Sequence, residues 1–420
     1  MTGEGFARGA AVSRIDHARS DGGASTPKCW HFSQYVNQSS REPTMRFVHL
    51  ILPALLALTT SCATPQQPSG KPASNPSGNR PTANGSEADT LSDIVQLTHG
   101  FDRAGEAYFS PDMKWIVFEA VPKGQQHYQM YLVQLTYTGD RITGAQEPIR
   151  ISPEPSRNTC GFFSPDGKAL IFASTAGKED PAEPSEGYQR NGRNYRWAFP
   201  HGMEIFRSDD WREKAEAAKP GSAIDLATHP ITNNDVYDAE GAFSPDGKWI
   251  VFCSLRTTDG DVYVMHPDGS HAVQMTNNPG YDGGPFFAPD GKRLVYRSDR
   301  NHNDLLQIFV GDLSFDAAGE ITGIAKEHQL TNDQNVNWGP WFHPDNHHII
   351  FSTSRHGHTN YELYVMRDDG THDIRITYTD GADILPVFSN DGKYLMWTSK
   401  RAPDGTTQIF LARFTPPKGW

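Results

Sequence analysis

The stretch Gly241–Ser254, GAFSPDGKWIVFCS, decides the fold. It contains no pair of groups suited to acid–base or nucleophilic chemistry. What it contains is a turn followed by a strand. In Ser-Pro-Asp-Gly, Pro presets the backbone at the first turn position, Asp can bond back to the main chain, and Gly accepts a positive φ. The run after it is apolar at nearly consecutive positions, as in a strand buried on both faces.

Variants of the motif recur as FSPDMK from Phe109, FSPDGK from Phe163 and Phe243, FAPDGK from Phe287, FHPDNH from Phe342 and FSNDGK from Phe388. Each is followed by an apolar, β-branched or aromatic run: WIVFEA, ALIFAS, WIVFCS, RLVYRS, HIIFST and YLMWTS. A strand-like segment upstream of each ends in a hydroxyl residue, at Thr98, Ser152, Thr232, Thr276, Thr331 and Thr377, and the motif Phe lies eleven positions further on in all six copies. A third strand, clear in Asp261–Met265 and Glu362–Met366, completes units of about four strands. Six such units predict an all-β chain, a six-bladed β-propeller of four-stranded antiparallel blades, because radial packing buries both faces of each sheet without leaving long open edges. The chain has a lone Thr-ending strand, Ile94–Thr98, before the first unit, and its last unit, Phe388–Phe414, lacks one. Pairing the two would close the ring.

These repeats resemble those of the TolB family, periplasmic six-bladed propellers with Pro-Asp-Gly repeats, over roughly Asp93 to Phe414. The separate α/β domain that precedes the propeller in that family is not matched here. The resemblance implies a binding module of the cell envelope.

A net charge of −12 argues against general nucleic-acid binding, which needs clustered Lys and Arg to displace counterions. Cys29, Cys62, Cys160 and Cys253 show no close spacing of the kind that builds zinc sites or redox pairs, and Cys160 and Cys253 read as small apolar residues in buried strands. Met45 opens MRFVHLILPALLALTTSC, with one Arg, an apolar run from Phe47 to Leu58 and small residues up to Cys62, the layout of a signal peptide over 45–61. The segment Leu58–Cys62 resembles a bacterial lipoprotein signal, though with Thr59 where that pattern has Leu. That resemblance implies lipid on Cys62. Residues 62–90 then read as a flexible tether, 91–416 as the propeller, and 1–44, polar and without periodicity, as disordered or a mis-assigned start.

Candidate binding residues come from the segment leading into each motif. Six positions past the hydroxyl stand Ala104, Asn158, Asp238, Asp282, Asn337 and Asp383, and two further on Glu106, Cys160, Glu240, Gly284, Gly339 and Leu385. Carboxylates and amides of this set, with Glu106 and Glu240, form a candidate ring at the channel mouth with the chemistry to hold Ca²⁺ or a basic group. The competing reading is that Asp and Asn cap turns between blades. The second unit is enlarged, with 80 positions from Asp166 to Asp246. Its insertion carries Tyr188, Arg190, Arg193, Tyr195, Arg196 and Trp197, types enriched at binding hot spots, and Asp210–Ala218 reads as a short helix. His347, His348, His356 and His358 could offer imidazoles to a metal, but no carboxylate completes a familiar set. The functional expectation is a monomeric, non-enzymatic propeller that binds an envelope protein or a glycan. The alternative is a metal-dependent enzyme on acidic polysaccharide, like the oligogalacturonate lyases, whose metal-binding histidines have no placed counterpart. No Gly-x-Ser-x-Gly elbow is present to suggest a serine hydrolase.

Overall fold

The computed structural model describes residues 85–178, 187–191, 194–257 and 259–420, and of 187–191 and 194–198 only the backbone. The expected leader, Cys62, most of the tether and Arg193 lie outside these residues. The described chain forms six antiparallel sheets of four or five strands, a six-bladed β-propeller. The inner strands are Phe101–Phe109, Asn158–Phe163, Asp238–Phe243, Asp282–Phe287, Asn337–Phe342 and Asp383–Phe388. Each ends at its motif Phe, and the turn leads into a second strand whose burial follows the apolar run. Ile250 through Ser254 are fully buried, because neighbouring sheets cover both faces.

The motif serine explains why the turn repeats. Ser110, Ser164, Ser244 and Ser389 each donate to the Asp two residues on at 2.7–2.8 Å and accept the backbone N–H five residues on at 2.8–3.0 Å. The Asp then accepts an N–H from the following Lys at 3.1–3.2 Å. One hydroxyl thereby fixes both ends of the turn.

The upstream hydroxyl has a second repeated task. In all six blades it accepts a backbone N–H of the third strand, at 2.9–3.0 Å: Ser152 from Met130, Thr232 from Ile205, Thr276 from Val262, Thr331 from Ile308, Thr377 from Leu363 and Thr98 from Ile409. The last bond joins the two ends of the fold. Leu91–Gln96 is the outer strand of the sixth sheet, antiparallel to Gln408–Phe414, with Val95 opposite Leu411. Within the expected tether, Glu87–Asp89 forms a turn capped by Ser86, and Glu87 receives Arg401 at 2.5 Å and the Tyr378 N–H at 3.1 Å.

The enlarged second blade carries its extra residues in two places. Gly187–Asn191 and Asn194–Ala198 form a hairpin in which Tyr188 lies opposite Trp197 and Arg190 opposite Tyr195. The short helix is Trp211–Ala217, and its buried Trp211 packs on Phe163 at 4.7 Å and Trp115 at 6.5 Å, sealing the first blade against the second.

Five of the seven expected channel residues belong to the sheets and not to the channel. Asn158, Asp238, Asp282, Asn337 and Asp383 are fully buried at the start of their strands, opposite Ser174, Ser254, Ser298, Thr353 and Ser399. The aspartates meet an Arg two residues past that serine: Arg256 at 3.0 Å from Asp238, Arg300 at 3.7 Å from Asp282 and Arg401 at 2.9 Å from Asp383. Asn337 instead donates to Gln307 and Asp333, and Asn158 to Gln129. These side chains point between strands of their own sheets, so they neither line the cavity nor cap turns between blades.

Two predictions follow from these repeated bonds. Thr98→Val keeps the shape but leaves the buried Ile409 N–H without its acceptor. It should cost about 1–3 kcal/mol in denaturant unfolding and raise amide exchange at Ile409, and unchanged exchange there would contradict the closure. Burial lifts the Asp282 carboxyl from 3.8 to about 6, so the folded state holds its proton more tightly than the unfolded chain does. Stability from this group is therefore lost as pH rises from about 4 to about 6, by up to roughly 3 kcal/mol. Asp282→Asn, the residue type that two other blades use at this place, should fold and show a correspondingly flatter stability profile over that range.

Candidate functional site

Each inner strand contains a register break, and at each break one residue adopts left-handed backbone: Glu106, Cys160, Glu240, Gly284, Gly339 and Leu385, with φ between 45° and 60°. A bulge of this kind re-aims the side chain, here toward the propeller axis. All six residues line one central cavity of about 460 Å³. Two residues further on, Tyr108, Phe162, Phe286 and Trp341 meet across the axis. Their ring centroids are 4.7–6.3 Å apart, including the pairs Tyr108–Phe286 and Phe162–Trp341 that join opposite blades. Ala242 and Val387 hold the remaining two places. The channel expected from sequence is therefore floored by an aromatic cluster, each pair of which adds roughly 0.5–1.5 kcal/mol beyond its buried area.

The cavity wall is polar on one side and aromatic on the other. Glu240 accepts from the Tyr281 hydroxyl at 2.8 and 2.9 Å, from the Gly284 N–H at 2.5 Å and from Arg297 at 2.9 Å. Arg297 also donates to Tyr281 at 2.8 Å and lies over the Trp338 ring at 5.7 Å. Burial opposes the Arg297 charge, but Tyr281 and Glu240 outweigh it and raise its pKa, so the guanidinium stays charged. Gly284 makes this reach possible, since a Cβ there would meet Arg297 Nη1 at 2.3 Å. On the first two blades, Thr159 donates to Glu119 at 2.5 Å, and Tyr108 donates to Glu106 at 3.3 Å. Burial raises the Glu106 pKa, and Glu240 raises it further against the pull of the Cys160 bond and Arg297. Burial and then Glu106, Glu119 and Glu240 push the Cys160 thiol well up. It stays protonated and is a poor nucleophile.

Of the seven polar candidates Glu106 and Glu240 reach the cavity, and Ala104, Cys160, Gly284, Gly339 and Leu385 of the same two registers line it with them. Glu119, Arg297, Trp338, Trp341 and Phe199 also line it, and the sequence reading missed them. A signal for two existed. The penultimate position of the apolar run reads Glu119, Ala173, Cys253, Arg297, Ser352 and Thr398, charged in two copies among apolar neighbours. Phe199 directly follows the inserted hairpin and packs on Tyr237 at 4.9 Å and Tyr281 at 5.4 Å, which brings the base of the insertion to the cavity. Side chains of the expected hot-spot residues Tyr188, Arg190, Tyr195, Arg196 and Trp197 lie outside the described atoms. Among the described residues no group of three or more His, Cys, Asp or Glu is arranged to hold a metal. The histidines have other partners: His348 bonds Asp345 at 2.8 Å and stacks on Trp420, and His356 bonds Tyr364 at 2.7 Å.

One family model matches part of the chain. A TolB beta propeller domain model matches residues 224–328 and 319–416. The uncharacterized peptidase YuxL of Bacillus subtilis is 27% identical over 193 residues, 41% of this chain but only 26% of that protein's length. Among solved structures, a protein of Agrobacterium tumefaciens assigned as TolB is 17% identical over 74% of this chain and 90% of its own, with a TM-score of 0.46. An oligogalacturonate lyase in complex with manganese is 16% identical over 77% of this chain and 93% of its own, with a TM-score of 0.42. Residues 224–416 thus match the TolB beta propeller domain model, and the described chain as a whole is a six-bladed β-propeller.

Proposed function

We propose that this chain is a non-enzymatic binding module of the cell envelope, which takes a segment of a protein or glycan partner into its central cavity. One observation carries the reading. Left-handed backbone costs roughly 1–2 kcal/mol for a residue with a side chain, and glycine, used at Gly284 and Gly339, avoids it. Glu106, Cys160, Glu240 and Leu385 bear that cost and turn their side chains into the cavity. Strain of this kind concentrates at functional sites. The concave, largely apolar wall with a few convergent polar groups has the make-up of a ligand pocket.

The enzyme reading has less support. Cys160 is held protonated, and the carboxylates of Glu106, Glu119 and Glu240 disfavour an acidic polysaccharide. Envelope location rests on the leader from Met45 and on the TolB likeness, with Cys62 as the lipid-bearing residue. No helix among the described residues is long and apolar enough to cross a membrane.

Leu385→Trp keeps a side chain at an already left-handed position and fills the cavity. Expected are a fold intact by circular dichroism and loss of the partner that the unaltered protein captures from envelope fractions. Capture that survives the filled cavity would refute the reading. In the same fractions, Cys62→Ser should move the chain from membrane to soluble material.

A further inference from the structure

Three carboxyl groups, Glu106, Glu119 and Glu240, line the cavity with two guanidiniums, Arg103 and Arg297. Glu106, Glu119 and Glu240 surround Cys160, whose thiol is raised by all three. Arg297 is engaged with Glu240 and Tyr281, and Arg103 lies over the Tyr128 ring at 4.7 Å. Glu106 differs from Glu240 in its partners. Its bonds come from two neutral donors, the Tyr108 hydroxyl and the Cys160 thiol, and no basic group of the described residues forms an ion pair with it. Its backbone is nevertheless held left-handed, at φ 45°, which turns the carboxyl into the cavity. The rings of Phe199, Trp338 and Tyr361 line the same cavity. A carboxyl in a cavity that aromatic rings also line suits a cation on an apolar stem, because the stem packs on rings while the charge meets the carboxylate.

We propose that the cavity binds a lysine or arginine side chain of its partner, with the cationic head against Glu106. The proposal rests on the reading of the cavity as the ligand site. It has a proton balance. In the empty cavity, burial and Glu240 favour the protonated Glu106, while Arg297 and the Cys160 and Tyr108 bonds oppose this. An arriving ammonium or guanidinium favours the carboxylate, so the Glu106 proton leaves to solvent as the ion pair forms. Since the empty-cavity pKa is raised and the bound one lowered, affinity rises with pH up to the empty-cavity pKa and is level above it.

The test uses acetyl-Ala-Lys-Ala-amide and the same peptide with its lysine Nε-acetylated, titrated calorimetrically in buffers of different ionisation enthalpy. The lysine peptide should bind at least about tenfold more tightly than the acetylated one, as a charge-assisted bond requires. Its binding should release a fraction of a proton at mildly acidic pH and none at mildly alkaline pH. Glu106→Gln should lose the preference and the proton release, and Glu106→Asp should retain both. Equal binding of the two peptides, no binding of either, or an unchanged preference in Glu106→Gln would overturn the proposal. The broader cavity reading is judged separately, by whether Leu385→Trp loses the captured partner.

Discussion

The left-handed residue in the middle of each inner strand is the constraint on which the centre of this molecule depends. An unbroken strand alternates its side chains across the sheet with a period of two, so no single strand could aim consecutive groups at the axis. The break at Glu106, Cys160, Glu240, Gly284, Gly339 and Leu385 changes that alternation once per blade. One layer of side chains then enters the cavity, and the next, headed by Tyr108, Phe162, Phe286 and Trp341, closes beneath it. Six copies of a local distortion create one central site with a floor.

That centre is stable only if the ring around it cannot open. The hydroxyl bond to the third strand is local in five blades and spans the chain in the sixth, where Thr98 holds Ile409. The same chemistry therefore serves as a blade staple and as the clasp of the ring. The buried Asp–Ser–Arg sets at the strand starts have a comparable economy. Asp238, Asp282 and Asp383 face arginines within their own sheets, and the blades with Asn158 and Asn337 place neutral amides at the same position.

The architecture was legible from sequence because it is written by spacing. Eleven residues from hydroxyl to Phe, a Pro-Asp-Gly turn and a buried run of fixed length recur often enough to define blade, order and the closure of the last unit by the first strand. The site was half legible. Glu106 and Glu240 stood in the right register, but Asp238, Asp282 and Asp383 stood in an equally regular one. Only the bulge between the two positions decides which set reaches the axis, and non-glycine residues such as Glu106 and Leu385 give no sign of left-handed backbone. Arg297 and Phe199 arrive by reach and by insertion, which periodicity does not encode.

The central claim is that the left-handed side chains are kept for what enters the cavity and not for the stability of the ring. Measuring unfolding and partner capture together on Leu385→Gly tests it most directly. Relief of backbone strain should offset the lost packing of this half-buried residue, leaving the unfolding midpoint nearly unchanged while capture falls. A sharp loss of stability with capture intact would show that Leu385 is simply part of the core.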